Sequence, residues 1–155
     1  MTIAPANRPP VNPRASNGGI PIPYGNFPVG GAGIYGATEA AVNFLSESRR
    51  AESQGRIKVT TIKPTGVPGT GLGGDIVNPA AIVGILGQNA QPYLATMRAM
   101  AAGELGADRT DPDSIGYCAR GTAYIAYAVI HAIAQPWGVS IGDITVRASG
   151  DGYIL

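Results

Sequence analysis

From Ile34 onward, small and apolar residues recur at helical spacing: Ala37, Ala40, Ala41, Phe44, Leu45 and Ser48. Ser46, Glu47, Arg49, Arg50 and Glu52 supply the polar positions toward the end of this stretch, and Gly55 follows as a stop. The pattern predicts a first helix over 34–54. The period then changes. Ile57-Lys-Val-Thr-Thr-Ile62 is rich in β-branched residues and reads as a strand ended by Pro64. The segment from Thr65 to Gly74 is a loop containing Gly66, Gly69, Gly71, Gly73 and Gly74. Such a loop either lets backbone approach a ligand closely or is an ordinary flexible connector.

Residues 79–103 read as helix broken near Gly84 and Gly87, with Pro92 opening the second piece. Asp111-Pro112 has the form of an N-cap followed by N1, and predicts a helix from 112 to about Gln135, before Pro136. One stripe of that helix carries Ile115, Ala119, Ala123, Ala126, Ile130 and Ile133. Another carries Tyr117, Tyr124, Tyr127 and His131. Two such stripes imply cover on both sides. Asp143-Ile-Thr-Val-Arg147 reads as a second strand, and 149–155 as a tail. Helix, strand, helices, helix, strand is the order of two parallel strands joined by a right-handed crossover.

The first 33 residues differ. Pro5, Pro9, Pro10, Pro13, Pro21, Pro23 and Pro28, with Gly18-Gly19 and Gly30-Gly31, block continuous helix or central strand. Residues 1–33 therefore read as a Pro/Gly-rich arm, and 34–155 as an α/β domain. Ile20, Ile22, Tyr24, Phe27 and Val29 favour partial docking of the arm.

Composition narrows the classes of function. A formal net charge of +1 over 155 residues leaves no basic excess for nucleic acid. No basic amphipathic run suggests a membrane surface, and no apolar run spans a bilayer. The N-terminal stretch lacks the apolar region of a secretory signal. Cys118 is the one cysteine, which fits a reducing compartment, so the expectation is a cytoplasmic protein.

Three segments carry a family resemblance. Ile34-Tyr35-Gly36-Ala37-Thr38-Glu39-Ala40-Ala41-Val42 resembles the Tyr-x-x-x-Lys active-site helix of the short-chain dehydrogenases/reductases. Arg56 to Val67, with Thr70 after it, is similar to that family's next strand and Pro-Gly turn. Residues 112–135, Gln135-Pro136 and 143–147 resemble its last helix and strand. The resemblance covers roughly residues 34–148. It implies a partial Rossmann-like fold, the C-terminal half of such an enzyme, completed by oligomerisation or by a partner.

The departures shape the functional expectation. No Gly-rich βαβ unit precedes Tyr35, so the nucleotide-binding half is expected to be lacking and no cofactor is expected. NADP enters only if a partner chain supplies the nucleotide site. Ser16 lies in arm sequence and is not expected to be the family's catalytic Ser. Glu39 stands where the family has Lys. A carboxylate at i+4 disfavours tyrosinate and raises the Tyr35 pKa. Tyr35 then acts as a neutral donor, with Glu39 either a general base or a solvated helix residue. With these departures the expectation is an enzyme descended from the family that works without a nucleotide, using Tyr35 and Glu39 for proton transfer in an isomerisation, dehydration, cyclisation or hydrolysis. Its substrate-binding residues would be Thr65, Gly66, Val67 and Thr70. The pocket is expected between the Tyr35 helix, loop 66–74 and region 79–103, holding a small-molecule substrate.

Other residues point less sharply. His131 reads as a packing or hydrogen-bonding residue and Cys118 as a buried small hydrophobe within the helix, while Tyr117, Tyr124, Tyr127 and Trp137 serve a core, a subunit interface or a ligand cavity. Asp108, Asp111 and Asp113 lack the pattern of a calcium loop, and no metal site is expected. Two parallel strands are a poor core on their own, because their edges and helix faces need cover. A homodimer or larger homo-oligomer is expected. The alternatives are a non-catalytic scaffold and an NAD(P)-dependent half that needs a partner chain.

Overall fold

A computed structural model describes residues 28–72 and 75–153. The expectations for the arm before residue 28, including Ser16, and for Gly73 and Gly74 lie outside the described residues. The rest is a mixed α/β arrangement: α1 (Gly33–Glu52), β1 (Thr61–Pro64), α2 (Ala80–Leu86), α3 (Ala90–Ala102), α4 (Ala107–Thr110), α5 (Ala123–Ile133) and β2 (Asp143–Val146).

The two strands pair in parallel, Thr61 opposite Asp143 and Pro64 opposite Val146. The Thr61 N–H donates to the Gly142 carbonyl at 2.8 Å, and the Thr65 N–H donates to the Val146 carbonyl at 3.1 Å. Side chains tie the start of the sheet together. Thr60 Oγ1 donates to the Ile141 carbonyl, and Lys63 pairs with Asp143 at 3.1 Å. Arg50 reaches from the last turn of α1 to the carbonyls of Val59 and Gly142, so the helix end is fastened to both chains entering the sheet.

Strand β1 is shorter and later than the β-branched run suggests. A strand exists only where a partner supplies the ladder. Here the register offers β2 to residues 61–64 alone, and Ile57 to Thr60 lead in beside it.

Two helix expectations need correction. Helix α2 runs through Gly84 without a break, and only Gly87 interrupts, at a single 3-10 turn over Gly87–Asn89. A Cβ on Gly84 would strike the backbone of Gly30 and lie 2.9 Å from Val29 Cγ1. That glycine serves close packing of the incoming chain, not a kink. The expected helix 112–135 begins only at Ala123. Asp111 closes α4 and its carboxylate accepts the Asp113 N–H within a turn, so it is not the N-cap of a long helix. Residues 117–120 form no regular element, and the Tyr117 hydroxyl donates to the Ala119 carbonyl and accepts the Gly121 N–H.

The buried apolar side chains are mostly small: Ala32, Val59, Ala81, Leu86, Ala90, Cys118, Ala132 and Ala148. Leu86 and Arg120 are the largest fully buried side chains. Helix α5 packs on both strands yet buries only Ala132, leaving Tyr127, Ile130 and Ile133 mostly exposed, with Trp137 beyond its end 71% exposed. No residue of α1 is buried, and Phe44 is 73% exposed. Among the described residues, no helix is long and apolar enough to cross a membrane.

Candidate binding cavity at the strand ends

The carboxyl ends of β1 and β2 carry the chain into two loops that meet. Arg120 holds them together from below. Arg120 is 2% exposed, and its guanidinium donates to the carbonyls of Thr65, Gly66 and Val146. Burial pulls the Arg120 pKa below the ordinary arginine value, and the Asp151 carboxylate is the largest influence opposing that shift. Arg120 makes these contacts from a segment, 117–120, that has no regular secondary structure.

The C-terminal tail folds back over the same ends. Thr65 Oγ1 donates to Asp151 Oδ2 at 2.6 Å. Asp151 Oδ1 accepts from Arg147 at 2.8 Å and from the Tyr153 N–H at 3.3 Å. Asn89, at the start of α3, donates to the Gly152 carbonyl at 3.0 Å. Tyr153 meets Tyr93 of α3 edge to face, their hydroxyls 3.3 Å apart. A Cβ on Gly66 would strike the Tyr153 hydroxyl and lie 2.9 Å from its Cε2, so only glycine lets the tail close down at this point.

Between loop, tail and α3 lies a cavity of about 230 Å³. Gly66 and Pro68 form one wall, Tyr93, Thr96 and Met97 another, and Asp151 to Tyr153 the third. Arg109 and Cys118 close the end. Ligands of open α/β sheets bind outside the carboxyl ends of the strands, which is where this cavity sits.

The expected site residues divide. Gly66 lines the cavity, and buried Thr65 anchors its tail wall. Val67 is part-buried beside them, and Thr70 is exposed, its hydroxyl donating to the Val67 carbonyl at 2.9 Å. Tyr35 and Glu39 stand elsewhere, on α1, and line no wall of the cavity. The loop contributes Gly66 and Pro68 to the cavity and the 79–103 region contributes Tyr93, Thr96 and Met97, while the tail, and not the Tyr35 helix, forms the remaining side.

Tyr35 and Glu39 do interact. Burial, then the Glu39 charge and its hydrogen bond, push the Tyr35 phenol far above the ordinary tyrosine range. The phenol is therefore neutral at physiological pH and is a proton donor rather than a base. Two turns along from Tyr35, the buried amide of Asn43 has no hydrogen-bond partner among the described residues.

Sequence reasoning missed Arg109, Tyr93, Thr96, Asn89 and Tyr153. They sit singly on helices and tail with no shared spacing, and only the glycines flanking Asp151 hint at a tight return. Tyr117 and Tyr124 line a shallower second hollow of about 190 Å³ beside Arg120, while Tyr127 and His131 are exposed. Cys118 is buried as expected, though outside any helix. Among the described residues no three His, Cys, Asp or Glu side chains are grouped to hold a metal ion. No protein-family model matches the chain, and no curated protein or solved structure is significantly similar to it.

Proposed function

We propose that this chain is a short-chain dehydrogenase/reductase-like α/β subunit that binds a small molecule at the carboxyl ends of β1 and β2 and works as a homo-oligomer. One observation carries the binding half. The cavity sits at the ends of both parallel strands, and its wall includes Gly66. Gly66 belongs to the Lys63-Pro-Thr-Gly66 segment that resembles the family's Pro-Gly turn. The oligomer half is supported by α1 and α5, whose large apolar side chains stay in water in one copy. An apolar face of this kind calls for a protein partner.

Tyr35 is the proton donor of this reading, kept neutral by burial and Glu39. It serves a cofactor-independent isomerisation, dehydration, cyclisation or hydrolysis on the α1 side of the assembly. A non-catalytic binding subunit is the second reading, favoured by the position of Tyr35 outside the cavity walls. Reduction with NADP requires a partner chain that brings the nucleotide site.

The test is a ligand-observed NMR fragment screen on the chain and on Gly66→Leu. Hits that bind the wild type and are lost in Gly66→Leu support the binding site. Hits unaffected by Gly66→Leu overturn it. Tight NADPH binding by the isolated chain would contradict the cofactor-free reading.

A further inference from the structure

We infer that the ligand of the strand-end cavity is a small organic carboxylate held by Arg109. This rests on the cavity being the ligand site and adds the chemistry of what it takes. Arg109 lies in the four-residue α4 and is part-buried at the end of the cavity. Its backbone is fixed, because its carbonyl accepts the Cys118 N–H at 3.0 Å and the Cys118 thiol at 3.6 Å.

The guanidinium is under-used. An arginine has five N–H donors in a planar fork. Among the described residues, this one makes a single long contact, 3.5 Å to Thr96 Oγ1. Thr96 is itself oriented by donating to the Pro92 carbonyl at 3.0 Å, so its lone pairs face the arginine. The ion pairs of the described residues join Arg50 to Glu47, Lys63 to Asp143 and Arg147 to Asp151, and none includes Arg109. Asp151 is the one acid in the cavity wall. Both its oxygens are already engaged, by Arg147, Thr65 and the Tyr153 N–H. A part-buried cation with spare donors and no carboxylate partner favours an anion from solution.

The rest of the cavity selects what carries that anion. Pro68, Pro92 and Met97 are apolar, and the Tyr93 and Tyr153 hydroxyls form a second polar point. At about 230 Å³ the space is below that of drug-sized sites, roughly 300–1,000 Å³. A planar carboxylate on a compact apolar or keto-bearing body matches charge, fork and size together.

The experiment is calorimetric titration of the whole chain at low ionic strength, where the charge contact is least screened. The probes are benzoate and pyruvate, with benzamide and pyruvamide as neutral counterparts. Each acid is expected to bind at least about tenfold more tightly than its amide. Arg109→Met is expected to erase that preference, while Arg109→Lys keeps part of it as a point charge. Should acids and amides bind equally, with Gly66→Leu abolishing both, the cavity stands as the ligand site and the carboxylate inference falls. An acid preference that survives in Arg109→Met also overturns it. Should no probe bind, both fall.

Discussion

Thr65 and Asp151 lie 86 residues apart in sequence and are joined by a 2.6 Å hydrogen bond from hydroxyl to carboxylate. One closes β1 and the other belongs to the tail, so the bond fastens the roof of the cavity to its floor. Both groups are part-buried, and a hydrogen bond to a charged group contributes about 1.5–3 kcal/mol. Thr65→Val is therefore expected to cost about 2 kcal/mol. Asp151→Asn also loses the Arg147 pair. A double-mutant cycle in urea measures the coupling, and additive losses would show that the bond contributes nothing.

Gly66 sets how closely the tail approaches. Gly66→Ala forces Tyr153 away, because the new methyl overlaps its hydroxyl and crowds Cε2 at 2.9 Å. Overpacking of this kind costs about 1–3 kcal/mol. Tyr153→Phe removes the overlapping oxygen and is expected to recover part of that loss. Thermal denaturation of the single and double variants reads it, and no recovery would place the strain elsewhere.

Arg120 is the internal clasp of the sheet end. Removing its side chain in Arg120→Met leaves the carbonyls of Thr65 and Gly66 without that donor, while the Val146 carbonyl keeps the Thr65 N–H. An unsatisfied buried group costs about 1–3 kcal/mol, so at least about 2 kcal/mol is expected for the pair. Arg120→Lys is not expected to rescue, since one ammonium cannot span the same carbonyls. Urea midpoints of the two variants decide this.

The resemblance to the dehydrogenase helix turns on Tyr35 and Glu39. Glu39→Gln removes the charge that opposes tyrosinate but leaves burial, the larger cause. The Tyr35 midpoint is expected to fall while staying above the ordinary value, near 10. The difference in tyrosinate absorbance between each protein and its Tyr35→Phe partner gives both midpoints. The sign for stability follows from the raised value. The folded chain holds the phenolic proton more tightly than the unfolded chain. The contribution is thus full below about pH 10 and is lost as pH climbs through the folded midpoint. Tyr35→Phe should flatten that alkaline loss, and an unchanged loss would assign it to other groups.

Both strands, their parallel pairing and the first helix were legible because period and β-branching are local signals. The false helix over 112–122 came from the same kind of signal. Asp111-Pro112 looks like a helix start, but Arg120 must reach three carbonyls of the sheet end, and that tertiary demand outweighs local propensity. Gly84 misled for a related reason, since its role lies in the approach of Gly30 from elsewhere in the chain. Thr65 and Gly66, singled out for their likeness to a Pro-Gly turn, lie at the candidate cavity. Arg109, Tyr93 and Tyr153 come together only through the fold of the tail.

The exposed faces of α1 and α5 give the proposed oligomer its own check. Phe44→Glu and Ile130→Glu, each on a largely exposed side chain, are expected to lower the mass in light scattering without loss of helicity. A wild-type chain that stays monomeric at high concentration would contradict the assembly.

Amide chemical-shift mapping during a benzoate titration tests the central claim most directly. Shifts gathered at Gly66, Tyr93, Thr96, Arg109 and Gly150 to Tyr153 are the predicted result. Shifts gathered on α1 around Tyr35 and Glu39, with the strand-end residues unmoved, would contradict it.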